Sequence, residues 1–112
     1  MTAFVLNTNV LDLIGLKSHI EDLFINDATV TVIIKDKAGE EIGGTVWPIT
    51  MDYVPASDGD YRAILPASLS FIPNKTFTAF IQAEGGGERI GHWEMPIKPL
   101  TRTGLTAPQT TF

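Results

Sequence analysis

Thr76-Phe77-Thr78-Ala79-Phe80-Ile81-Gln82-Ala83-Glu84 is the stretch on which the fold turns. Phe77, Ala79, Ile81 and Ala83 occupy alternate positions, with Thr78 and Gln82 among the residues between them and Glu84 next in step. Successive side chains of an extended chain point to opposite faces, so this period of two predicts a strand with one face in a core and the other in water. Downstream, Gly85-Gly86-Gly87 supplies a hairpin turn, and Arg89 to Ile97 returns with Trp93, Met95 and Ile97 aligned.

The same pattern extends upstream. Val30, Val32 and Ile34 share one face of Ala28–Ile34, opposite Thr29, Thr31 and Lys35. A turn at Asp36-Lys37-Ala38-Gly39-Glu40 follows. Val46 to Val54 alternates again through Trp47, Ile49, Met51 and Tyr53. Pro48 has no N–H to give to a ladder, which places it at a strand start or on an edge. After the turn Pro55–Asp60, Tyr61, Ala63 and Leu65 face one way. Pro66 to Asn74 reads as a connection whose Leu69 and Phe71 tuck under the sheets. Val5 to Leu16 adds one or two strands, for a total of about seven. Short alternating strands with turn residues every ten or so positions predict an all-β chain, a single antiparallel immunoglobulin-like β-sandwich.

Two segments depart from the pattern. Leu16, Ile20, Leu23 and Phe24 fall at helical spacing, and Ser18 with Glu21 fits a capping box. Eight or nine residues are few for an independent helix, so a helical turn and irregular or strand chain both stay open here. From Pro99 the composition shifts: five of the last twelve residues are Thr. That stretch has little to bury, so residues 1–98 are read as the sandwich domain and 99–112 as a flexible Thr- and Pro-containing tail.

Composition narrows the function. At 112 residues, 44% hydrophobic and 19% charged, the chain has material for one core. Its net charge is -5, and its eight Lys and Arg form no basic cluster, which argues against nucleic acid as a partner. Zero cysteines exclude disulfides, thiolate metal sites and cysteine nucleophiles. The N-terminal residues lack the basic and apolar regions of a signal peptide, and the apolar runs are too short for a membrane-spanning helix.

The chemistry-bearing residues do not converge on a catalytic set. Asp52, Asp58 and Asp60 have the oxygen ligands that Ca²⁺ takes, but the further ligands and closing Glu of a calcium loop are missing. Asp58-Gly59-Asp60-Tyr61 reads better as a turn before a tyrosine corner, with the Tyr61 hydroxyl bonded back to nearby backbone. Glu84-Gly85-Gly86-Gly87-Glu88 lacks the Lys, Ser or Thr and the following helix of a phosphate cradle. His19 and His92 have no neighbouring ligand at metal spacing. No spacing among Glu40, Glu41, Glu84, Glu88 and Glu94 selects a glycosidase pair. The expectation is a protein that is not an enzyme and takes no metal or cofactor.

Ile33 and Phe80 carry more information. Each is a large apolar residue on the otherwise polar side of its strand, which an interface would use and which a covering loop would equally explain. They are the candidate interface residues, and Tyr61 is the candidate tyrosine corner.

The order of pieces also bears a resemblance. Asn26-Asp27-Ala28-Thr29-Val30-Thr31-Val32, the Asp36-Lys37-Ala38-Gly39 turn, Tyr53-Val54-Pro55, Gly59-Asp60-Tyr61-Arg62-Ala63-Ile64-Leu65-Pro66 and Gly91-His92-Trp93-Glu94-Met95-Pro96 follow one another. Together they resemble the small immunoglobulin-like structural proteins of tailed bacteriophages and prophages over roughly Asp27 to Pro96. The resemblance implies a head, head–tail or tail component that contacts other virion proteins, or itself as a homo-oligomer. It also implies assembly in the bacterial host cytoplasm and location in the virion. It brings no catalytic motif. The alternative is a carbohydrate- or surface-ligand-binding module with Trp47, Tyr53, His92 and Trp93 as stacking residues.

Overall fold

The computed structural model describes residues 2–18, 23–85 and 88–101. It is all-β, with seven strands: β1 (Thr2–Phe4), β2 (Asn9–Leu13), β3 (Thr29–Asp36), β4 (Ile49–Tyr53), β5 (Tyr61–Leu65), β6 (Phe77–Gly85) and β7 (Glu88–Leu100). No helix occurs among the described residues.

The centre is the β3–β6 ladder, which runs without slippage from Thr29↔Glu84 to Asp36↔Phe77. Val30, Val32 and Ile34 stand opposite Ala83, Ile81 and Ala79, and all six are buried. A one-residue slip would turn both apolar sets to solvent, and that is what holds this register. Burying each large side chain here contributes about 1.5–3 kcal/mol before ordering costs are counted. β7 pairs with the other side of β6, from Phe77↔Ile97 to Gly85↔Glu88, with a bulge at Ala83/Glu84.

β4 joins the two halves of the molecule. It pairs with β3 through Val32↔Ile49, Thr31↔Thr50 and Val30↔Met51. It then pairs with β5 through Asp52↔Arg62 and Tyr53↔Tyr61. β5 in turn pairs over five residues with β2. The strands therefore form one continuous sheet in the order β1-β7-β6-β3-β4-β5-β2, rolled nearly into a barrel. Leu11, Tyr61, Ala63 and Leu65 from the β2–β5 half pack in one cluster with Val30, Ile34, Phe77 and Ile97 from the other half. Leu69 and Phe71 from the β5–β6 connection join that core, with Phe71 edge-on to Phe77 at 5.3 Å between ring centroids.

Three features refine the sequence reading. β1 pairs with β7 in parallel, Thr2↔Lys98 to Phe4↔Leu100, whereas every other ladder is antiparallel. That pairing carries β7 through Pro99, which is fully buried, to Leu100. The Pro99 carbonyl accepts from Asn74 N–H at 3.0 Å, and the Leu100 carbonyl from Val5 N–H at 2.9 Å. The sheet thus extends two residues beyond the domain boundary drawn at residue 98, and residues 102–112 of the expected tail lie outside the described residues. The helical spacing around Ile20 also falls there in part, because residues 19–22 are not described. On either side of that gap Lys17 and Phe24 form an antiparallel bridge, and Ser18 N–H donates to the Leu23 carbonyl at 2.8 Å.

The Asn9 side chain links the two ends of the sheet. Asn9, at the start of β2, is buried; its Oδ1 accepts from Phe4 N–H at 2.9 Å and its Nδ2 donates to Phe4 O at 3.1 Å. A second Nδ2 bond reaches Asn7 O at 3.1 Å. The amide thus mimics the paired donor and acceptor of a backbone residue, which is how a buried polar group is satisfied here.

Candidate interaction surface

On β3 and β6, the positions that alternate with the core face outward. Thr29, Thr31, Ile33 and Lys35 line up beside Glu84, Gln82, Phe80 and Thr78, and β7 adds His92 opposite Gln82 and Glu94 opposite Phe80. Ile33 and Phe80, singled out separately in the sequence, are thus direct cross-strand partners, and both are half-buried. They form the apolar centre of an open cleft of about 470 Å³ whose walls include Lys35, Pro48, Gln82 and His92. The Lys35 ammonium stands 5.1 Å from the centroid of the Phe80 ring, and the His92 ring lies 6.2 Å away on another side. His92 Nε2 is 3.6 Å from Glu94 Oε2, and Gln82 Nε2 donates to Glu84 Oε1 at 2.7 Å. The result is an aromatic–aliphatic pair in a polar rim, an arrangement that suits a protein contact.

Tyr61 has a structural setting. Its ring is buried at the start of β5, edge-on to Tyr53 at 5.7 Å. Its hydroxyl donates to Ile25 O at 2.7 Å and accepts from Ala28 N–H at 3.1 Å. These partners lie more than thirty residues upstream, so the hydroxyl ties β5 to the segment entering β3. Burial raises its pKa above the ordinary tyrosine value, while the Ala28 hydrogen bond acts in the opposite sense.

The turn before Tyr61 is committed to backbone contacts. Gly59 adopts φ +73°, and a Cβ there would fall 2.4 Å from Leu16 O, so the close approach of the two chains requires glycine. Gly59 N–H donates to Asn26 Oδ1 at 2.8 Å, and Asp60 Oδ1 accepts from Gly15 N–H at 2.9 Å. Asp52 stands opposite Arg62 in the ladder, and the Arg62 guanidinium pairs with Asp12 at 2.8 Å. Among the described residues no three His, Asp or Glu side chains gather as a metal site. His19 lies outside the described residues. Glu40 and Glu41 belong to the β3–β4 connection, Glu84 to β6 and Glu94 to β7, on separate elements.

The four aromatic side chains of the carbohydrate reading do not share a face. Trp47 packs against the core and donates its indole N–H to Ile42 O at 2.7 Å. Tyr53 also packs on the core, with its hydroxyl bonded to Ser57 O. His92 pairs with Gln82 on the outer face, whereas Trp93, its neighbour, pairs with Ile81 on the opposite face.

Sequence reasoning missed a second outward apolar pair, Val10 on β2 and Ile64 on β5, which are direct cross-strand partners. Both are more exposed than Ile33 or Phe80. The signal was present: Ile64 breaks the polar side of Tyr61–Leu65 just as Phe80 breaks that of its own strand.

No protein-family model and no curated protein matches the chain. A solved structure of a candidate glycoside hydrolase from Bacteroides vulgatus ATCC 8482 is similar at 9% identity and a TM-score of 0.47, over 90% of this chain and 17% of that one. The chain therefore spans about a sixth of that protein's length, and a likeness at this score carries no argument about what the chain does.

Proposed function

We propose that this domain is a non-enzymatic structural or assembly protein of a phage or prophage virion, a head, head–tail or tail component that binds a neighbouring virion protein through the outer face of β3, β6 and β7. The observation that carries the binding role is the in-register Ile33–Phe80 pair, apolar at its centre and rimmed by Lys35, Gln82, His92 and Glu94. The virion setting rests on the resemblance running roughly from Asp27 to Pro96. Central aromatic side chains inside a polar rim are where binding energy concentrates, and truncating one costs 2 kcal/mol or more in many interfaces.

The test is Phe80→Asp. Phe80 is half-buried on the outer face, so the variant keeps its core and folds. A charge in the centre of the contact should reduce incorporation into particles at least tenfold while leaving the far-UV spectrum unchanged. A folded variant that assembles like the parent removes this face from the function. Terminase, portal or tail genes beside the coding sequence would support the virion setting, and a neighbourhood without them would count against it.

A further inference from the structure

Lys35 stands at one end of the outer cleft, half-buried, with its ammonium 5.1 Å from the centre of the Phe80 ring. The acids of that face have partners in the chain itself. Glu84 Oε1 accepts from Gln82 Nε2 at 2.7 Å, and Glu94 Oε2 lies 3.6 Å from His92 Nε2. Lys35 differs: among the described residues no carboxylate lies within ion-pair distance of its ammonium. Asp36, next in sequence, accepts on Oδ1 from the Ala38 and Glu40 N–H groups at 2.9 and 3.0 Å. Glu41, across an isolated bridge from Lys35, lines a separate cavity bounded by Ile42, Ile72 and Phe77.

A protein that covers Ile33 and Phe80 also takes water from Lys35, because the ammonium and the ring share one cleft. A charge removed from water without a counter-charge opposes the contact that buries it. A hydroxyl or a carbonyl on the partner replaces part of the lost hydration, whereas a carboxylate also cancels the charge. Glu84 and Glu94, already engaged at home, make no matching demand for a cation. A carboxylate bonded to the ammonium at about 2.8 Å lies within about 8 Å of the Phe80 ring centre. On the partner surface it is therefore the immediate neighbour of whatever apolar group covers that ring.

We infer, on the reading that the outer face is the virion contact, that the neighbouring protein presents an Asp or Glu side chain to Lys35, beside the apolar group that seats on Ile33 and Phe80. Lys35 then selects among apolar surfaces. One with a carboxylate at that place docks, and one with Lys or Arg there is repelled.

Three substitutions at one position test this. Lys35→Met keeps an unbranched stem over Phe80 and removes the charge, which leaves the partner's carboxylate buried and unpaired. It should lower incorporation into particles at least about tenfold. Lys35→Arg keeps the charge and can stack on the ring, so it should incorporate within about threefold of the parent. Lys35→Glu sets two carboxylates together and should fare worse than Lys35→Met. All three should keep the far-UV spectrum and urea midpoint of the parent, because Lys35 lies on the outer side of β3. Growth selected in the presence of Lys35→Glu should yield suppressors in which one virion protein exchanges an Asp or Glu for a neutral or basic residue. Folded Lys35→Met and Lys35→Glu chains that enter particles like the parent would overturn the inference, and so would suppressors none of which removes an acid. If Phe80→Asp is still excluded in that experiment, the outer face stands as the contact and only the acidic partner falls. A Phe80→Asp chain that assembles like the parent removes the face itself.

Discussion

Removing one oxygen atom from Tyr61 tests how the two halves of this domain are fastened. The hydroxyl has two backbone partners, the Ile25 carbonyl at 2.7 Å and the Ala28 N–H at 3.1 Å, and the ring is 1% exposed. Each intramolecular hydrogen bond contributes about 0.5–1.5 kcal/mol net, and a group left unpaired in a buried place costs more. Tyr61→Phe keeps the ring and loses both bonds, so it should destabilise by about 2 kcal/mol. For a domain of this size that lowers Tm by about 10 °C. Tyr61→Ala also removes the packing and should cost about 4 kcal/mol or more. The assay is urea unfolding followed by fluorescence, with the midpoint compared at constant m-value. Alkaline pH gives a second readout. In the unfolded chain Tyr61 releases its proton near the ordinary value of about 10, and in the fold it does so at higher pH. Its contribution is complete below pH 10 and is lost as pH rises from there through the folded-state pKa. The parent should therefore lose stability above about pH 10 more steeply than Tyr61→Phe. Equal midpoints and equal alkaline slopes for the two proteins would refute the reasoning.

Two further substitutions test the same framework. Asn9→Ala deletes the side chain whose Oδ1 and Nδ2 bond the Phe4 N–H and C=O, and losing these two buried bonds should lower stability by about 2–3 kcal/mol in urea titrations. Asn9→Asp should rescue little, because its carboxylate would oppose the Phe4 carbonyl that Nδ2 now serves. Gly44 has φ +105° and lies against Ser68, so that a Cβ would fall 2.1 Å from Ser68 O. Gly44→Ala should therefore cost about 2 kcal/mol or more, with loss of protection from hydrogen exchange at Ser70 N–H, which donates to Gly43 O at 3.0 Å.

The strands that read clearly in the sequence are those with one wet face. In β3, β5 and β6 water imposes the alternation, so Val30, Tyr61 and Phe77 and the residues in step with them marked the core directly. β7 is harder to delimit, because the shift in composition from Pro99 argues for a stop, yet the chain stays extended through Pro99 to Leu100. What keeps it there is the pairing of Ala3 with Pro99 and of Phe4 with Leu100, contacts nearly a hundred residues apart that no local pattern records. The limits of β1 and β2 are hidden for a similar reason: they are set by ladders to β7 and to β5, strands far along the chain. At the candidate surface, Ile33 and Phe80 were visible as exceptions to alternation, but their direct pairing needed the β3–β6 register. Val10 does not stand out in the same way, because the pattern from Val5 to Leu16 does not by itself mark where β2 begins.

The parallel run of β1 against β7 has a mechanical consequence. Thr2 begins one strand and Leu100 ends the other, with three pairs from Thr2↔Lys98 to Phe4↔Leu100 between them. Tension applied between Thr2 and Leu100 acts along these strands in opposite senses. It loads their hydrogen bonds together, in shear, where a hairpin pulled from its open end would unzip one bond at a time. A molecule strung between neighbours at those two points would hold as a stiff link until the whole patch gave way at once.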